Sequence, residues 1–325
     1  MKIPRHEASK IGSPVSVGEG SRCKTLVNAL TVDVEDYFQV EVFANRISRA
    51  SWDDIPSRVE ANVETLLNLF AANGVNATFF TLGWIAERHP EMVRRIAIAG
   101  HEIASHGYDH KRVDCLTPTE FKEDIFRSKA ILEEITGKMV LGYRAPTFSI
   151  GPKTPWAHEV LDEVGYLYSS SIYPIRHDLY GNVDAPRVPF RPTSGPLWEF
   201  PLSTRRICGR NFPCSGGGYF RLFPYWLSKQ NLRNVNVADA LPCIFYTHPW
   251  EIDSAQPRVT ELSFRSRFRH YTNLHLMTER LHHLIRELRW GRMVDVFADW
   301  IKSSTGFQGD PARKRPASAP PSEPA

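Results

Sequence analysis

The sequence predicts an α/β domain built on a parallel β-sheet, either open or closed into a barrel. Short apolar runs alternate with segments of helical periodicity from about residue 26 to about residue 290. Strand–helix alternation at this spacing is typical of a parallel sheet. The length of 325 residues fits one large α/β domain or two modest ones.

The first half of the chain predicts three strands and three helices in alternation. The strands are LVNALTVDVE, NATFFTLG and HEIASH. A helix over RVEANVETLLNLFAANG ends at Gly74, and a second helix begins at Pro90 and ends at Gly100. The third helix follows HEIASH, with Thr117 as its N-cap and Glu120 closing a capping box.

The second half predicts further strands and a long final helix. The predicted strands are VLGYRAP, YLYSSSIYP, EFPLST and CIFYTHPWE. WAHEVLDEVG is predicted to be a helix, and TNLHLMTERLHHLIRELRW a final amphipathic helix. The GGG at 216–218 has no Lys or Ser/Thr behind it, so it predicts a flexible turn rather than a phosphate-binding loop.

The charge of the chain lies mainly in its two ends. Residues 1–24 carry a net charge of +3 and residues 307–325 carry +1, which together equal the +4 of the whole chain. Both segments are predicted to be disordered tails, the second because it is rich in Pro and Ala. The region between them is close to neutral, which argues against a nucleic-acid groove.

Cysteine usage and the N-terminus indicate the compartment. Five cysteines, odd in number and without C-x-x-C spacing, favour a reducing environment over a disulfide framework. The N-terminal residues have positive charges but no apolar stretch behind them, so no signal peptide is predicted. No apolar run approaches the ~18 residues of a spanning helix. We therefore expect a cytoplasmic protein.

Polar side chains concentrate where predicted strands end. They are Asp33, Glu35 and Asp36 after the first strand, His106 and His110 after the third, Arg144 after the fourth and His248 after a late strand. The carboxyl ends of parallel strands meet at one edge, which is where sites assemble in both barrels and open sheets. Acid, imidazole and guanidinium groups together predict a metal or acid–base site.

The spacing of these residues indicates a catalytic metal centre. His106 and His110 are four residues apart and can face one point in a helix or tight turn. A carboxylate from VDVED would complete a two-histidine, one-carboxylate site with open positions. A second carboxylate could act as a general base, Arg144 could orient it, and His248 could act as a general acid.

The order of four motifs resembles the polysaccharide deacetylases of carbohydrate esterase family 4, the NodB-homology enzymes. The motifs are TVDVED, SHGYDH, GYRAPTF and FYTHPWE. The stretches TVDVEDYFQV, YSSSIYP, GGGYFRLFP and FYTHPWEID resemble the exosortase-associated (PEP-CTERM system) subgroup more closely. The resemblance covers about residues 27–302. It implies one domain over 25–306, with a subgroup-specific, helical C-terminal extension from about residue 250.

The resemblance implies a distorted (β/α) barrel of about seven parallel strands that binds one divalent metal ion, usually zinc. The implied reaction is hydrolysis of an N-acetyl group on an amino sugar. Asp33 is implied as the general base, Arg144 as the residue that steadies it, and His248 as the general acid. His106 and His110 are implied as metal ligands.

Two positions depart from the family pattern. The usual second aspartate of the first motif is replaced by Val34, so the carboxylate ligand is expected to be Glu35, or else Asp36. The tyrosine that usually follows R-x-P is replaced by Thr147, which keeps a backbone N–H for the oxyanion. Trp198 and Tyr219 are expected to contact the sugar.

The expected function is therefore deacetylation of an N-acetylated polysaccharide, or of its lipid-linked precursor, in exopolysaccharide biosynthesis. We expect peripheral association with a polysaccharide-synthesis complex and no nucleic-acid partner. Two alternatives remain open at this point. One is a cyclic-amide hydrolase of the same fold, and the other is an inactive carbohydrate-binding or assembly protein.

Overall fold

The computed structural model describes residues 26–260 and 262–305. The predicted tails, 1–24 and 307–325, lie outside the described residues. The described strands, in chain order, are β1 (Val27–Val34), β2 (Thr78–Thr81), β3 (Glu102–Ser105), β4 (Gly142–Tyr143), β5 (Tyr168–Ser169), β6 (Trp198–Glu199), β7 (Thr204–Ile207), β8 (Arg210–Pro213), β9 (Ile244–Thr247) and β10 (Arg289–Gly291).

Eight of these strands form one curled parallel sheet. Its order is β10-β1-β2-β3-β4-β5-β6, and β9 also pairs with β1. The N-terminal end of β1 pairs with β10, and its middle pairs with β9. Strands β7 and β8 form a separate antiparallel hairpin. The prediction of a distorted (β/α) barrel of about seven parallel strands is confirmed.

Helices cover the outside of this sheet. They are α1 (Val59–Ala72), α2 (Gly83–Arg88), α3 (Pro90–Ile98), α4 (Pro118–Thr136), α5 (Ala157–Val164), α6 (Gly217–Leu222), α7 (Tyr225–Asn234), α8 (Phe264–Tyr271), α9 (Leu274–Glu287), α10 (Met293–Val296) and α11 (Ala298–Thr305). The predicted capping box is present at the start of α4, where Thr117 Oγ1 accepts the backbone N–H of Glu120.

Strand alternation divides the core into two layers. Side chains of one parity, such as Leu30 and Val32 of β1, pack outward against the helices. Side chains of the other parity, such as Ala29 of β1 and Phe80 of β2, fill the inside of the curled sheet. Because successive side chains of a strand point to opposite faces, residue parity decides which side chains reach the interior. Asp33 shares the parity of Ala29 and therefore points inward.

The end of the chain differs from the prediction. Helix α9, which was predicted to be the last helix, ends at Glu287, and Arg289–Gly291 of β10 pairs with Val27–Ala29 instead of continuing it. Helices α10 and α11 follow β10. This pairing joins segments about 260 residues apart, so no local pattern could reveal it. The hairpin of β7 and β8, and helices α6 to α8, were also not predicted. Within the described residues, no helix has the length and apolar character needed to cross a membrane.

His101 gives a testable pH dependence of stability. Its Nδ1 accepts the backbone N–H of Ala77 at 3.0 Å, which requires that nitrogen to be unprotonated. Burial, helped by the charge of Arg292, lowers the pKa of His101 to about 4. The unfolded chain binds this proton near pH 6.5, so stability is lost as the pH falls from about 6.5 toward 4.

We expect His101→Asn, which keeps an acceptor near the Nδ1 position, to remove part of this acid sensitivity. The free energy of unfolding in urea should fall less between pH 7.5 and pH 5 in this variant than in the wild type, by on the order of 1 kcal/mol. Parallel stability curves for the two proteins would show that His101 is not a source of the acid sensitivity.

Candidate active site

Four inward-pointing side chains meet at the carboxyl edge of the sheet. Asp33 lies near the end of β1, His106 follows β3, Arg144 follows β4 and His248 follows β9. All four are buried or nearly so. Because the strands are parallel and in register, positions separated along the chain by up to 215 residues come together at this edge.

Glu35, His106 and His110 form a group that could hold a metal ion. Each offers one ligand atom, and these atoms lie within 4.8 Å of one another. Glu35 Oε2 lies 2.8 Å from His110 Nε2, and it has no hydrogen-bond partner among the described residues. A buried carboxylate oxygen without a hydrogen bond, facing an imidazole nitrogen, fits a shared cation.

A hydrogen bond orients the His106 ring. Its Nδ1 lies 2.8 Å from the backbone carbonyl oxygen of Arg144, so Nδ1–H donates to that oxygen. The proton on Nδ1 leaves Nε2 with its lone pair free for the metal group. Burial lowers the pKa of His106 to about 4, which keeps the ring neutral as a ligand must be.

Arg144 holds the Asp33 carboxylate in place. Its Nη1 donates to Asp33 Oδ1 at 2.6 Å and to Thr31 Oγ1 at 2.7 Å. Its Nε and Nη2 donate to the carbonyl and hydroxyl oxygens of Ser170, and its guanidinium lies 4.1 Å from the ring centroid of Phe80. Because these contacts fix the guanidinium of Arg144, the Asp33 carboxylate is held in one orientation beside a permanent positive charge.

A second buried ion pair lies behind His248. His248 Nδ1 lies 3.3 Å from Glu251 Oε2, and Arg221 Nε donates to Glu251 Oε1 at 3.0 Å. On the other side of the ring, His248 Nε2 lies 3.3 Å from Glu35 Oε1. The ring is therefore positioned by a carboxylate that is itself held by an arginine.

These charges set the pKa values of the buried groups. Burial by itself would raise the pKa of Glu35, but His110 and His248 hold it well below its usual range. Burial by itself would lower the pKa of His248, but Glu35 and Glu251 raise it to about 9. Burial would also raise the pKa of Glu251, which Arg221 and His248 instead lower to about 2. At neutral pH the site therefore contains ionised carboxylates beside a protonated His248.

The group lies at the floor of a cavity of about 590 Å³. One wall of the cavity is aromatic. Phe148 contacts both Tyr180 and Tyr246 edge to face, with ring centroids 5.6 Å and 5.0 Å apart. Thr147 also lines the cavity, at a φ of 55° and a ψ of 27°. This left-handed conformation is rare for a β-branched residue and costs on the order of 1–3 kcal/mol, so the surrounding structure must hold it there.

Two segments of the chain that contribute to this site match known families. Residues 46–168 match the family described as Polysaccharide deacetylase, and that segment contains His106, His110 and Arg144. This segment is similar to polysaccharide deacetylase domains, and the match covers 123 of the 325 residues. Residues 170–298 match a domain of unknown function, DUF3473, which contains His248. Asp33 precedes both matches, so the site combines side chains from the two matched segments and from the residues before them.

Individual relatives resemble parts of the chain. A peptidoglycan deacetylase of Helicobacter pylori is 31% identical over 113 residues, which are 35% of this chain and 38% of that protein. The chain thus aligns with less than two fifths of that curated relative. A Mycobacterium smegmatis structure described as a polysaccharide deacetylase shares the fold, with a TM-score of 0.55 and 21% identity over 94% of this chain and 98% of that one. An allantoinase structure also shares it, with a TM-score of 0.53 and 18% identity over 87% and 91% of the two chains.

The structure places most of the predicted site residues around one cavity. Those that line it are Asp33, Glu35, His106, His110, Thr147, Tyr219 and His248. Arg144 lies directly behind Asp33. Trp198 is not among the residues that line this cavity, and its contact with the sugar stays a prediction. Trp198 is the first residue of β6 and pairs with Tyr168, which in turn pairs with Gly142, two residues before Arg144. Its ring stacks on Phe200 and packs against the inner core of the sheet.

Asp36 lies outside the metal group, so Glu35 is the carboxylate that the structure brings next to His106 and His110. Its Oδ1 accepts the backbone N–H of Tyr37. Its Oδ2 accepts the Ser57 hydroxyl and the backbone N–H groups of Arg58 and Val59 at the start of α1. Both oxygens are therefore used to fix the chain to the first turn of a helix, where backbone N–H groups lack partners.

This difference gives a paired prediction on metal content. Glu35→Gln should remove bound divalent metal, because it replaces a charged ligand oxygen by an amide. Asp36→Asn should keep the metal and lower the free energy of unfolding by about 1–2 kcal/mol, because it weakens the helix cap. Metal per chain, measured by elemental analysis, and urea unfolding test both statements. Metal loss in Asp36→Asn with retention in Glu35→Gln would reverse the assignment.

Sequence reasoning missed the residues that support His248. Glu251 lies three residues after His248 in HPWE, a spacing that places both at one turn of a short helix. Arg221 comes from the GGGYFR segment, and Gly217 of that segment is not a flexible turn but the first residue of α6. A Cβ atom at Gly217 would lie 1.9 Å from Glu251 Oε2, so this glycine makes room for the carboxylate. The His-x-x-Glu spacing was the signal available in the sequence.

Proposed function

We propose that this protein is a metal-dependent hydrolase that removes N-acetyl groups from amino sugars of a polysaccharide or of its lipid-linked precursor. The proposal rests on one observation: a set of metal-ligand side chains and a set of acid–base side chains lie together at the floor of one cavity. Glu35, His106 and His110 offer metal ligands, and Asp33 and His248 offer a base and an acid beside them. Hydrolysis of an unactivated amide needs both sets, since water must be activated and an amine must leave.

Glu35, His106 and His110 would hold the ion. One carboxylate and two imidazoles form the donor set that suits zinc and similar divalent ions while leaving coordination positions open. The Glu35 oxygen that lacks a hydrogen bond among the described residues is consistent with this use. When bound, such an ion supplies Lewis acidity to water and to the substrate carbonyl. The choice of zinc is part of the proposal.

Asp33 and His248 would move the protons. Asp33 accepts the proton of the attacking water as the oxygen–carbon bond forms, and Arg144 holds this carboxylate in a fixed orientation. His248 donates a proton to the amine nitrogen as the carbon–nitrogen bond breaks. Glu251 holds the His248 ring through Nδ1 for this transfer. The products are acetate and the free amino sugar, so atoms and protons balance.

Thr147 would stabilise the developing oxyanion. The strained backbone at Thr147 lies on the cavity wall between Ala145 and Phe148, close to the groups described above. Strain of this kind persists where the surrounding structure fixes a backbone group for a purpose. A backbone N–H replaces the role of a side-chain donor at this position. Tyr219, on the same cavity, remains our candidate for contact with the sugar ring.

The substrate class and cellular role belong to the same proposal. The motifs TVDVEDYFQV, GGGYFRLFP and FYTHPWEID, which resemble the exosortase-associated subgroup, supply Asp33, Glu35, Arg221 and His248 to the site. This supports a role in exopolysaccharide biosynthesis, with peripheral association with a cytoplasmic polysaccharide-synthesis complex. The domain limits of 25–306, with an extension from about residue 250, are proposed on the same basis.

Acetate release from defined substrates tests the proposal. The purified protein, loaded with zinc, is incubated with N-acetylglucosamine oligomers, with peptidoglycan fragments and with the cyclic amide allantoin. We expect acetate from at least one N-acetylated glycan and no opening of the allantoin ring. Ring opening without acetate would favour the cyclic-amide hydrolase. Glycan binding without acetate from any substrate would favour the inactive binding protein.

A further inference from the structure

Helix α8 exposes two phenylalanines beside the mouth of the cavity. Phe264 is 86% exposed and Phe268 is 51% exposed. The two positions are one helical turn apart, and their rings stack with centroids 6.4 Å apart. Single exposed apolar residues are common on proteins, but a stacked aromatic pair on one helix face at a site entrance favours a contact with another apolar phase.

Arginines surround this pair. The segment from 258 to 271 contains Arg258, Arg265, Arg267 and Arg269. Arg258, Arg265 and Arg267 are exposed, although Arg265 and Arg269 form ion pairs with Asp178 at 3.5 Å and 3.0 Å and Arg258 lies 4.8 Å from the ring centroid of Tyr271. By helical spacing Arg267 shares the face of Phe264 and Phe268, and exposed Arg258 precedes the helix. Aromatic rings beside arginines are the combination that binds an anionic interface, because the rings enter the apolar boundary and the guanidinium groups contact phosphates.

The faces of α8 have different roles. Arg265, Ser266 and Arg269 line the cavity, whereas Phe264, Arg267 and Phe268 do not. We call the face formed by Phe264, Arg267 and Phe268 the α8 rim. Because this rim adjoins the residues that line the entrance, a surface that contacts the rim also lies against the opening of the site.

Buried contacts fix α8 to the catalytic residues. His270 at the end of α8 stacks on Trp250, with ring centroids 4.3 Å apart, and Trp250 Nε1 donates to Glu35 Oε1 at 3.2 Å. Arg221, which holds Glu251, also donates to the backbone carbonyl oxygens at the C-terminal end of α8. The α8 rim therefore cannot move independently of the site.

We infer that the α8 rim docks on the surface of an anionic phospholipid bilayer and so places the cavity entrance against the membrane. The phenylalanine rings enter the headgroup boundary, and Arg267 and Arg258 contact lipid phosphates. The consequence for catalysis rests on the proposed function: the substrate reaches the site from the bilayer surface, as a lipid-linked amino sugar would. The occupant is the bilayer itself and not a free phosphate.

Vesicle co-sedimentation tests the docking with the full chain. The vesicles contain phosphatidylcholine alone, or phosphatidylcholine and phosphatidylglycerol in a three-to-one ratio, with inorganic phosphate added as a competitor in a separate arm. The variants are Phe264→Ser/Phe268→Ser and Arg258→Gln/Arg267→Gln. The matched control is Ile98→Ser/Phe126→Ser, which removes two side chains of similar exposure, 84% and 65%, from α3 and α4.

We expect the wild type and the control to bind vesicles that contain phosphatidylglycerol. Loss of the two rings should lower the partition coefficient by about tenfold or more, and loss of the two arginines or added salt should weaken binding severalfold. Four results would each overturn the inference. They are absence of wild-type binding, equal binding by all variants, displacement by phosphate alone, and concentration-dependent self-association through the rim.

A second readout separates this inference from the proposed function. Acetate release from soluble N-acetylated oligomers by Phe264→Ser/Phe268→Ser should equal that of the wild type, because neither ring lines the cavity. Vesicle binding without acetate release from any protein would reject the proposed function and keep the docking. Acetate release without vesicle binding would do the reverse.

Discussion

Replacing Asp33 with asparagine is expected to lower the rate of acetate release by about 10³-fold while the protein keeps its metal. General-base catalysis contributes about 10²–10⁴ in rate, and an amide cannot accept the proton of the attacking water. Asp33 is not part of the Glu35, His106 and His110 group, so its loss should leave the ligands in place. Steady-state acetate release and metal per chain, measured on the same preparation, give both quantities.

The control for this prediction is an aspartate in another ion pair. Asp239 accepts from Arg187 at 2.7 Å and does not line the cavity. Asp239→Asn should change the rate by less than about threefold, since it removes a carboxylate with no access to substrate. If Asp33→Asn retained more than a tenth of the wild-type rate, Asp33 would not be the base. If it lost its metal, Asp33 would belong to the ligand set.

Replacing Arg144 with methionine is expected to lower the free energy of unfolding by about 3–5 kcal/mol. The guanidinium is fully buried and bonded to Asp33, Thr31 and Ser170. Its removal leaves the Asp33 carboxylate ionised in a buried place without its partner, which is the costly way to break an internal ion pair. Urea unfolding followed by circular dichroism measures the loss. Acetate release should also fall, because the base is no longer oriented.

A double variant separates the pair from its individual residues. Asp33→Asn/Arg144→Met removes both charges, so it should be more stable than Arg144→Met alone while remaining inactive. Arg94, in an exposed pair with Glu91, is the matched control, and Arg94→Met should cost less than about 1 kcal/mol. A double variant no more stable than Arg144→Met would show that the charge left on Asp33 is not the source of the loss.

The sequence predicted the site because its chemistry sits at strand ends. Each of its four main residues lies at the end of an apolar strand, and parallel strands bring these ends to one edge of the sheet. These residues are Asp33, His106, Arg144 and His248. The spacing of His106 and His110 then indicated a shared ligand point, which the structure provides through Glu35. The periodicity of strands and helices was likewise enough for the fold class, because it is a local property.

What the sequence could not reveal depends on long-range contacts. Nothing near Asp36 shows that its oxygens cap α1, whose first turn lies over 20 residues away. The place of Trp198 in the interior follows from its register with Tyr168, which is set by the sheet and not by its neighbours. The support of Glu251 by Arg221 joins residues 30 apart. Local patterns predict elements, whereas partners across the fold decide the role of each side chain.

Activation by stoichiometric metal shows whether Glu35, His106 and His110 hold an ion that the reaction requires. The chelated protein is titrated with zinc while acetate release from an N-acetylated oligomer is followed. The site predicts no release without metal and a linear rise that ends at about one ion per chain, as expected for the one group of three ligands found among residues 26–260 and 262–305. Full activity in the chelated protein would contradict a metal-dependent hydrolase built on Glu35, His106 and His110.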